Sequence, residues 1–303
     1  MKNFSYILSP NTRKEIENIE KARIKILLEL IPPKAETQIR FDGLSKSISS
    51  SLFLSGKFVS TLEVKSYLLG KTKSAAADIL ALKKVRDYLK MNWLISYNAI
   101  EEENLLEILR IFDKNINISK STASEILNFV NVNPEHPIIQ QALSFILFYN
   151  ALPKNKDSIK ISINISKIFI YKHGFDFREL HNIEEYFSSD LINFNRLIEE
   201  SLKTYQLSKF IEYFVQAFAI AAERAAATLK EEGKKLIPAA SSLTERQEKI
   251  LLLFDIPDAK ITNRTVQKTF GISQITASRD LAKLATLGLI YQKGRGRSIY
   301  YTK

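Results

Sequence analysis

Between residues 274 and 297 the chain sets out side chains suited to one kind of chemistry, recognition of a polyanion that carries hydrogen-bonding edges. Gln274, Thr276, Ser278, Arg279 and Lys283 come first, and Lys293, Arg295 and Arg297 follow at alternate positions, spaced by Gly294 and Gly296. Gln and Arg make bidentate pairs with adenine and guanine edges, Ser and Thr suit edges or phosphates, and Lys neutralises phosphate as a point charge. A second basic group, Lys154, Lys156 and Lys160, reads first as a solvated loop, with a site for a phosphate-bearing ligand as the alternative. Metal chemistry has little to draw on, because the three histidines (His136, His173, His181) are scattered.

The elements that must present the first group can be read from capping and periodicity. Ala277, Leu281 and Leu284 lie at i, i+4 and i+7, so one stripe of a helix capped by Ser273 points inward. Gln274, Ile275, Ser278, Arg279 and Lys283 then occupy the opposite face, with Thr276 at its border. Gly271 makes a turn from a preceding helix that Thr262 or Asn263 caps and that carries Val266 and Phe270 inward. Before it, Thr244 caps a first helix with Leu243, Ile250, Leu251 and Phe254 on its apolar side. Leu289 and Ile290 are expected to begin one strand and Ser298 to Tyr301 to form a second, with the basic Gly-punctuated tip between them. This order resembles a winged helix-turn-helix, and Thr276-Ala-Ser-Arg-Asp-Leu-Ala-Lys-Leu resembles the recognition helix of many bacterial and archaeal winged-helix regulators. The resemblance implies double-stranded DNA as partner and a homodimer reading two half-sites. Use of the module for protein contacts alone is the alternative.

Composition agrees. The net charge is +11, and residues 241–303 carry eleven Lys/Arg against five Asp/Glu, or +6. Hydrophobic residues at 45% and charged residues at 25% describe a globular chain long enough for two domains. There is no cysteine, the start lacks a signal-peptide core and no apolar run reaches membrane-span length, so a cytoplasmic protein with no membrane partner is expected.

Residues 1–232 read as all-helical, 233–242 as a linker (KKLIPAASS) and 243–303 as the DNA-binding module, giving a mainly α fold with a small α+β wing. Ile16, Ile19, Ile24 and Leu27-Leu28 give a helix over 12–31 that Pro32-Pro33 ends. The serine-rich SKSISSSLFLSGKFVST suits a turn or helix start better than a long helix. Helices are expected over 74–95 and 103–113, and Thr122 with Glu125 forms a capping box for another through Val130. His136 and Pro137 suit a helix start. Residues 158–172 are ambiguous, because the alternation Ile159, Ile161, Ile163, Ile165 reads as a strand while the tail turns helical. Phe210, Phe214 and Phe218, with Ile211 and Val215, stripe a helix that runs to about Glu232 and that Gly233 caps.

Residues 40–232 also resemble the Fic-domain family, whose members usually transfer AMP from ATP to protein hydroxyls. The resemblance rests on three stretches in order. They are Glu135-His136-Pro137-Ile138-Ile139-Gln140-Gln141-Ala142; Gly174-Phe175 with Phe194-Asn195-Arg196-Leu197 and Phe210-Ile211-Glu212-Tyr213-Phe214; and Ser51-Leu-Phe-Leu-Ser55-Gly56 with Thr61 and Glu63, which resembles the family's inhibitory helix. Laid on this chain, the signature HPFx(D/E)GNGRxxR places its His on Leu152, its Pro on Pro153, its Phe on Lys154 and its acidic residue on Lys156. The GNG falls on Asp157-Ser158-Ile159 and the arginines on Lys160 and Ile163. Leu152 cannot accept a proton, Lys156 would repel magnesium, and Ile159 disfavours a phosphate-cradling turn. In the inhibitory pattern (S/T)xxxE(G/N), Ser51 and Gly56 remain while Ser55 replaces the Glu.

The expected function is therefore a DNA-binding transcriptional regulator whose Fic-like domain has lost AMP transfer and serves dimerisation or sensing. No catalytic residue, metal or cofactor is expected. The alternatives are an adaptor or antitoxin-like relative that binds a protein partner through the Fic-like domain and, further off, an active nucleotidyl transferase using ATP and magnesium.

Overall fold

A computed structural model of the chain describes residues 4–72, 76–95, 99–113, 116, 118–132, 135–234, 243–254, 259–294 and 296–303; for 76, 92–95, 234 and 297 it describes the backbone alone. Most of the expected linker and Arg295 lie outside these residues. The chain divides into two units, residues 1–28 with 39–227, and 29–38 with 228–303.

Helices account for all the regular structure of the first unit among the described residues. They are α1 Pro10–Leu28, α2 Pro33–Leu54, α3 Thr61–Leu68, α4 Ala76–Ile95, α5 Glu102–Phe112 and α6 Lys120–Val132, then α7 Pro137–Ala151, α8 Ser158–Lys172, α9 Glu184–Ser189, α10 Leu191–Thr204 and α11 Ser208–Lys234. At the centre α7 and α8 pack against each other, and each is buried nearly all round. That resolves the ambiguous stretch as helix. A helix enclosed on every side shows no polar stripe, so Ile161, Ile163, Ile165, Ile168 and Ile170 can all be buried whatever their spacing. Phe145, Phe187, Phe194, Phe210 and Phe214 complete the core; Phe187 and Phe194 stack with centroids 4.2 Å apart.

Four local expectations are corrected. The serine-rich stretch begins as the C-terminal half of the 22-residue α2, up to Leu54, and only its remainder is the expected turn, at Ser55 and Gly56, and helix start, at Ser60 before α3. Its hydroxyls find partners that leave the helix intact: Ser45 Oγ donates to Phe41 O at 2.8 Å, and Ser47 and Ser51 reach Glu184. In α1 the second half turns differently from the expected stripe, because Ile26 is buried while Ile24, Leu27 and Leu28 are exposed. The inward line runs through Arg23, which donates to Gly174 O at 2.9 Å and His173 O at 3.1 Å, and a charged residue on the inner face hides the pattern. Helix α6 is capped three residues earlier than expected, by Ser119 Oγ accepting from Thr122 N at 3.0 Å. Gly233 lies inside α11, which continues to Lys234.

After α8 the backbone takes an uncommon path. Phe177, Arg178 and Glu179 have φ of 49°, 56° and 69°, a left-handed turn of three non-glycine residues. Such a conformation costs about 1–2 kcal/mol per residue. Its holders are the buried Phe177 ring against Phe218, the Asp176 carboxylate accepting from Glu179 N at 3.2 Å, and Arg178 donating to Ile26 O at 3.3 Å.

The second unit contains α12 Glu245–Leu252, α13 Asn263–Phe270, α14 Gln274–Thr286 and a hairpin of β1 Tyr291–Lys293 and β2 Tyr300–Thr302. The strands pair antiparallel with Tyr291 opposite Thr302 and Lys293 opposite Tyr300. Both strands begin later than expected, since Leu289 and Ile290 turn into the hairpin and residues 296–298 form a short 3₁₀ turn. Ile261 pairs with the other edge of Tyr301 through two backbone hydrogen bonds of 3.0 and 2.8 Å. Ile250, Phe254, Val266, Ala277, Leu281, Leu284, Ile290 and Tyr301 form the core. At Gly294, φ is 83° and a Cβ would lie 2.3 Å from Ser298 O, so only glycine fits this position.

Candidate functional site

The loop where the sequence resembles the Fic signature joins α7 to α8, the two most buried helices. His136 caps α7 as expected, its Nδ1 accepting from Ile138 N at 3.4 Å, and its other ring nitrogen faces Glu20 at 3.1 Å. Leu152, at the C-cap of α7, is buried, so the side chain at the signature's His position packs into the core. Pro153, Lys154 and Lys156 are exposed. The turn is closed by side chains: Asp157 N donates to Asn155 Oδ1 at 2.9 Å and Asn155 N to Ser158 Oγ at 3.1 Å.

The three loop lysines do not converge. Lys154 folds back with its Nζ 4.0 Å from the centroid of the Tyr149 ring and donates to Tyr149 O. Lys156 stands in solvent. Lys160 points inward with 2% of its side chain exposed and lies 2.7 Å from both Asp78 and Asp157. Lys57 joins the same network through Asp78 at 2.7 Å and Asp157 at 3.7 Å. A buried ammonium needs counter-ions, and these two carboxylates supply them from within the chain.

The stretch resembling the inhibitory helix is the end of α2. Ser55 Oγ donates to Leu52 O at 2.8 Å, and Gly56, with φ 75°, ends the helix. Thr61 opens α3, whose capping box pairs Ser60 with Glu63; the Ser60 hydroxyl, then the Ser60 backbone N–H, hold the Glu63 carboxyl below its ordinary range. Ser51 faces inward into a polar cluster that sequence reasoning missed. Glu184, fully buried at the start of α9, pairs with Lys167 of α8 and accepts from Ser47 and Ser51 Oγ, each at 3.1 Å. Asn164 Nδ2 donates to Ser51 Oγ at 3.3 Å. Beside them a small cavity of about 30 Å³, enough for a water molecule, is also lined by Arg86, Glu179 and His181. Burial holds the His181 imidazolium well below the usual histidine range, with Lys167 adding to the effect, so this ring is neutral at physiological pH. No local signal joins Ser51 to a glutamate 133 residues away.

In the second unit the expected caps are present. Thr244, Thr262 and Ser273 each accept from a backbone N–H of their helix's first turn, and Gly271 ends α13 with φ 61°. Gln274, Ile275, Ser278 and Arg279 are exposed along one face of α14, with Thr276 and Lys283 half-buried at its edges. Ile275 has 65% of its surface in solvent. The Ser278 and Thr276 hydroxyls are already engaged, by Asn263 Nδ2 at 2.7 Å and Ser273 Oγ at 2.9 Å. Lys293 is exposed at the end of β1; Arg295 and the side chain of Arg297 lie outside the described residues.

Asp280 was not anticipated. It lies on the buried stripe beside Ala277 and Leu281, where a carboxylate at i+3 and i−1 from core residues is the signal that could have marked it. Arg246 Nε and Gln247 Nε2 each donate to it at 2.7 Å and anchor α14 to α12. Burial pushes its carboxyl up, and the bonds from Arg246 and Gln247 outweigh this, so its pKa is lowered. A lowered folded pKa adds stability that is present above the unfolded value of about 3.9 and lost as pH falls through the folded value. Backbone NMR of α14 should therefore show the wild type loosening below about pH 4 more than Asp280→Asn does. Equal acid sensitivity would mean that the pairing contributes nothing.

Among the described residues no helix is long and apolar enough to cross a membrane, and no three His, Asp or Glu side chains gather to hold a metal ion. No family model and no curated protein sequence matches the chain. Solved structures do match. A Fic family protein from Desulfovibrio desulfuricans G20 aligns with a TM-score of 0.63 at 12% identity, over 99% of this chain and 98% of its own. A Fic domain containing signaling protein from Bacteroides thetaiotaomicron VPI-5482 aligns with a TM-score of 0.53 at 12% identity, over 73% of this chain and 98% of its own. At that identity the likeness speaks for architecture alone, and on it this mainly helical chain has the fold of Fic proteins.

Proposed function

We propose that the chain is a DNA-binding transcriptional regulator, with α13 and α14 as a helix-turn-helix, the β1–β2 hairpin as its wing, and a Fic-type helical unit used for dimerisation or sensing. The observation that carries this reading is α14 itself. Its core side is filled by Ala277, Leu281 and Leu284, while Gln274, Ile275 and Arg279 stand in solvent on the other side. Exposed Gln and Arg beside an apolar residue match adenine, guanine and thymine-methyl edges. The charge of +6 on residues 241–303 supplies the sequence-independent attraction to phosphate.

The helical unit's loop does not suit a magnesium–nucleotide complex. Leu152 is buried where a proton acceptor would be needed, Lys156 brings a positive charge to the metal position, and Lys160 is neutralised by Asp78 and Asp157. Fluorescence anisotropy against genomic fragments over a salt series tests the proposal. With about six phosphate contacts, log K should fall against log salt with a slope near −5. A flat response would overturn it.

A second reading, a protein-binding adaptor, draws on the exposed Ile24, Leu27 and Leu28 of α1, an apolar face on the helical unit. A pull-down that recovers a protein partner while anisotropy detects no DNA binding would favour it.

A further inference from the structure

The left-handed turn after α8 places Glu179 in unusual company. Its carboxylate, with 7% of the side chain exposed, meets three cations: Arg86 and Lys90 of α4 at close range, and Arg40 of α2 at 3.8 Å. Beside it an open cavity of about 280 Å³ is also lined by Lys172, at the end of α8, and by Arg178 of the turn itself. Among the described residues, Arg40, Lys90, Lys172 and Arg178 line this cavity together with two carboxyl groups, Glu179 and Asp176. Burial raises the Asp176 carboxyl above its ordinary range, and the same cause lowers the Lys172 ammonium.

The backbone deepens the asymmetry. Three consecutive residues hold a conformation that L-residues avoid, and the outcome is one carboxylate inserted among cations. Strain of this kind persists where surrounding structure over-determines it, and it gathers at ligand clamps and switches. The Glu179 carboxylate offers two oxygens to Arg86, Lys90 and Arg40. A phosphate monoester offers three, with close to two negative charges near neutral pH.

We propose that this cavity binds the phosphoryl group of a small phosphate monoester, with Lys90, Lys172, Arg178 and Arg40 as its donors and Glu179 as the internal carboxylate that competes for them. The ligand class is limited by volume: about 280 Å³ admits inorganic phosphate or a phosphorylated three- to six-carbon compound. The site lies at the C-terminal end of α8, whereas the loop 152–160 lies at its N-terminal end. A 15-residue helix separates the two by about 20 Å. The proposal is independent of DNA binding and stands or falls separately from it.

The experiment is calorimetric titration of the full chain with inorganic phosphate and with glycerol 3-phosphate, at constant ionic strength set by chloride, alongside thermal melting. Saturable binding is expected, weakened more than tenfold in Lys90→Ala/Lys172→Ala. Both are partly solvent-facing side chains, and circular dichroism checks that the variant is folded. Glu179→Gln removes the competing charge and should bind roughly tenfold more tightly. It should also melt at a temperature that rises more steeply with phosphate than that of the wild type, because the half-buried Arg86 would then lack its anion. Absence of saturable binding in wild type and Glu179→Gln, or unchanged affinity in a folded Lys90→Ala/Lys172→Ala, overturns the proposal. Should Glu179→Gln fail to fold, the lysine pair decides alone.

Discussion

Lys167→Ala is expected to lower the stability of the helical unit by about 3–5 kcal/mol, because it leaves a charge buried without its counter-ion. Glu184 has none of its side chain in solvent and Lys167 only 8%. Removing the ammonium leaves the Glu184 carboxylate with the Ser47 and Ser51 hydroxyls alone, and these cannot replace a full charge. The double change Lys167→Met/Glu184→Leu removes both charges and keeps most of the volume, so it should cost far less than the single one. Guanidinium unfolding followed by circular dichroism measures both. Single and double variants equally destabilised would show that packing volume, and not the charge pair, is what matters at this position.

Arg279→Ala is expected to weaken binding to preferred DNA fragments by about 1–3 kcal/mol, between five- and 150-fold, while changing binding to unrelated fragments much less. Lys293→Ala should do the opposite, weakening all fragments alike and making the salt slope shallower by about 1. The contrast follows from position. Arg279 projects from the exposed face of α14, two turns from its end, whereas Lys293 lies where β1 enters the hairpin tip. Genome-wide recovery of bound fragments with each variant reads the difference directly. If Arg279→Ala retained the wild-type ranking of fragments, the proposal that Arg279 reads a base would be overturned.

How much of this was legible in the sequence depended on the range of the interactions. In the second unit the caps at Thr244, Thr262 and Ser273 and the stripe Ala277, Leu281, Leu284 are local signals, and each lies where spacing placed it. Helix α2 was misread because its serines suggested a turn, when in fact they bond to carbonyls within the helix and to Glu184 far along the chain. Helix α8 was ambiguous because burial on all sides erases periodicity. The pairs that define the polar interior, Ser51 with Glu184, Lys160 with Asp78 and Arg86 with Glu179, join residues 133, 82 and 93 positions apart. Nothing in a single sequence joins such pairs. The loop lysines showed the converse error, since neighbours in sequence were read as neighbours in space.

The two tethers on α14 have a consequence for how this unit can change over generations. Asp280 holds one side of the helix to Arg246 and Gln247, and Ser278 with Gln274 O holds the other to Asn263. Slipping the helix by one residue would turn it by about 100° and break both. Its angular setting is thus decided by the side chains of Arg246, Gln247, Asn263, Ser278 and Asp280, and not by those of Gln274, Ile275 or Arg279. Gln274, Ile275 and Arg279 hang from a fixed frame, and exchanges at such solvent-facing positions usually alter stability by no more than about 0.5 kcal/mol. Holding and presenting are divided between different side chains, so the presented set can drift while the frame stays in place.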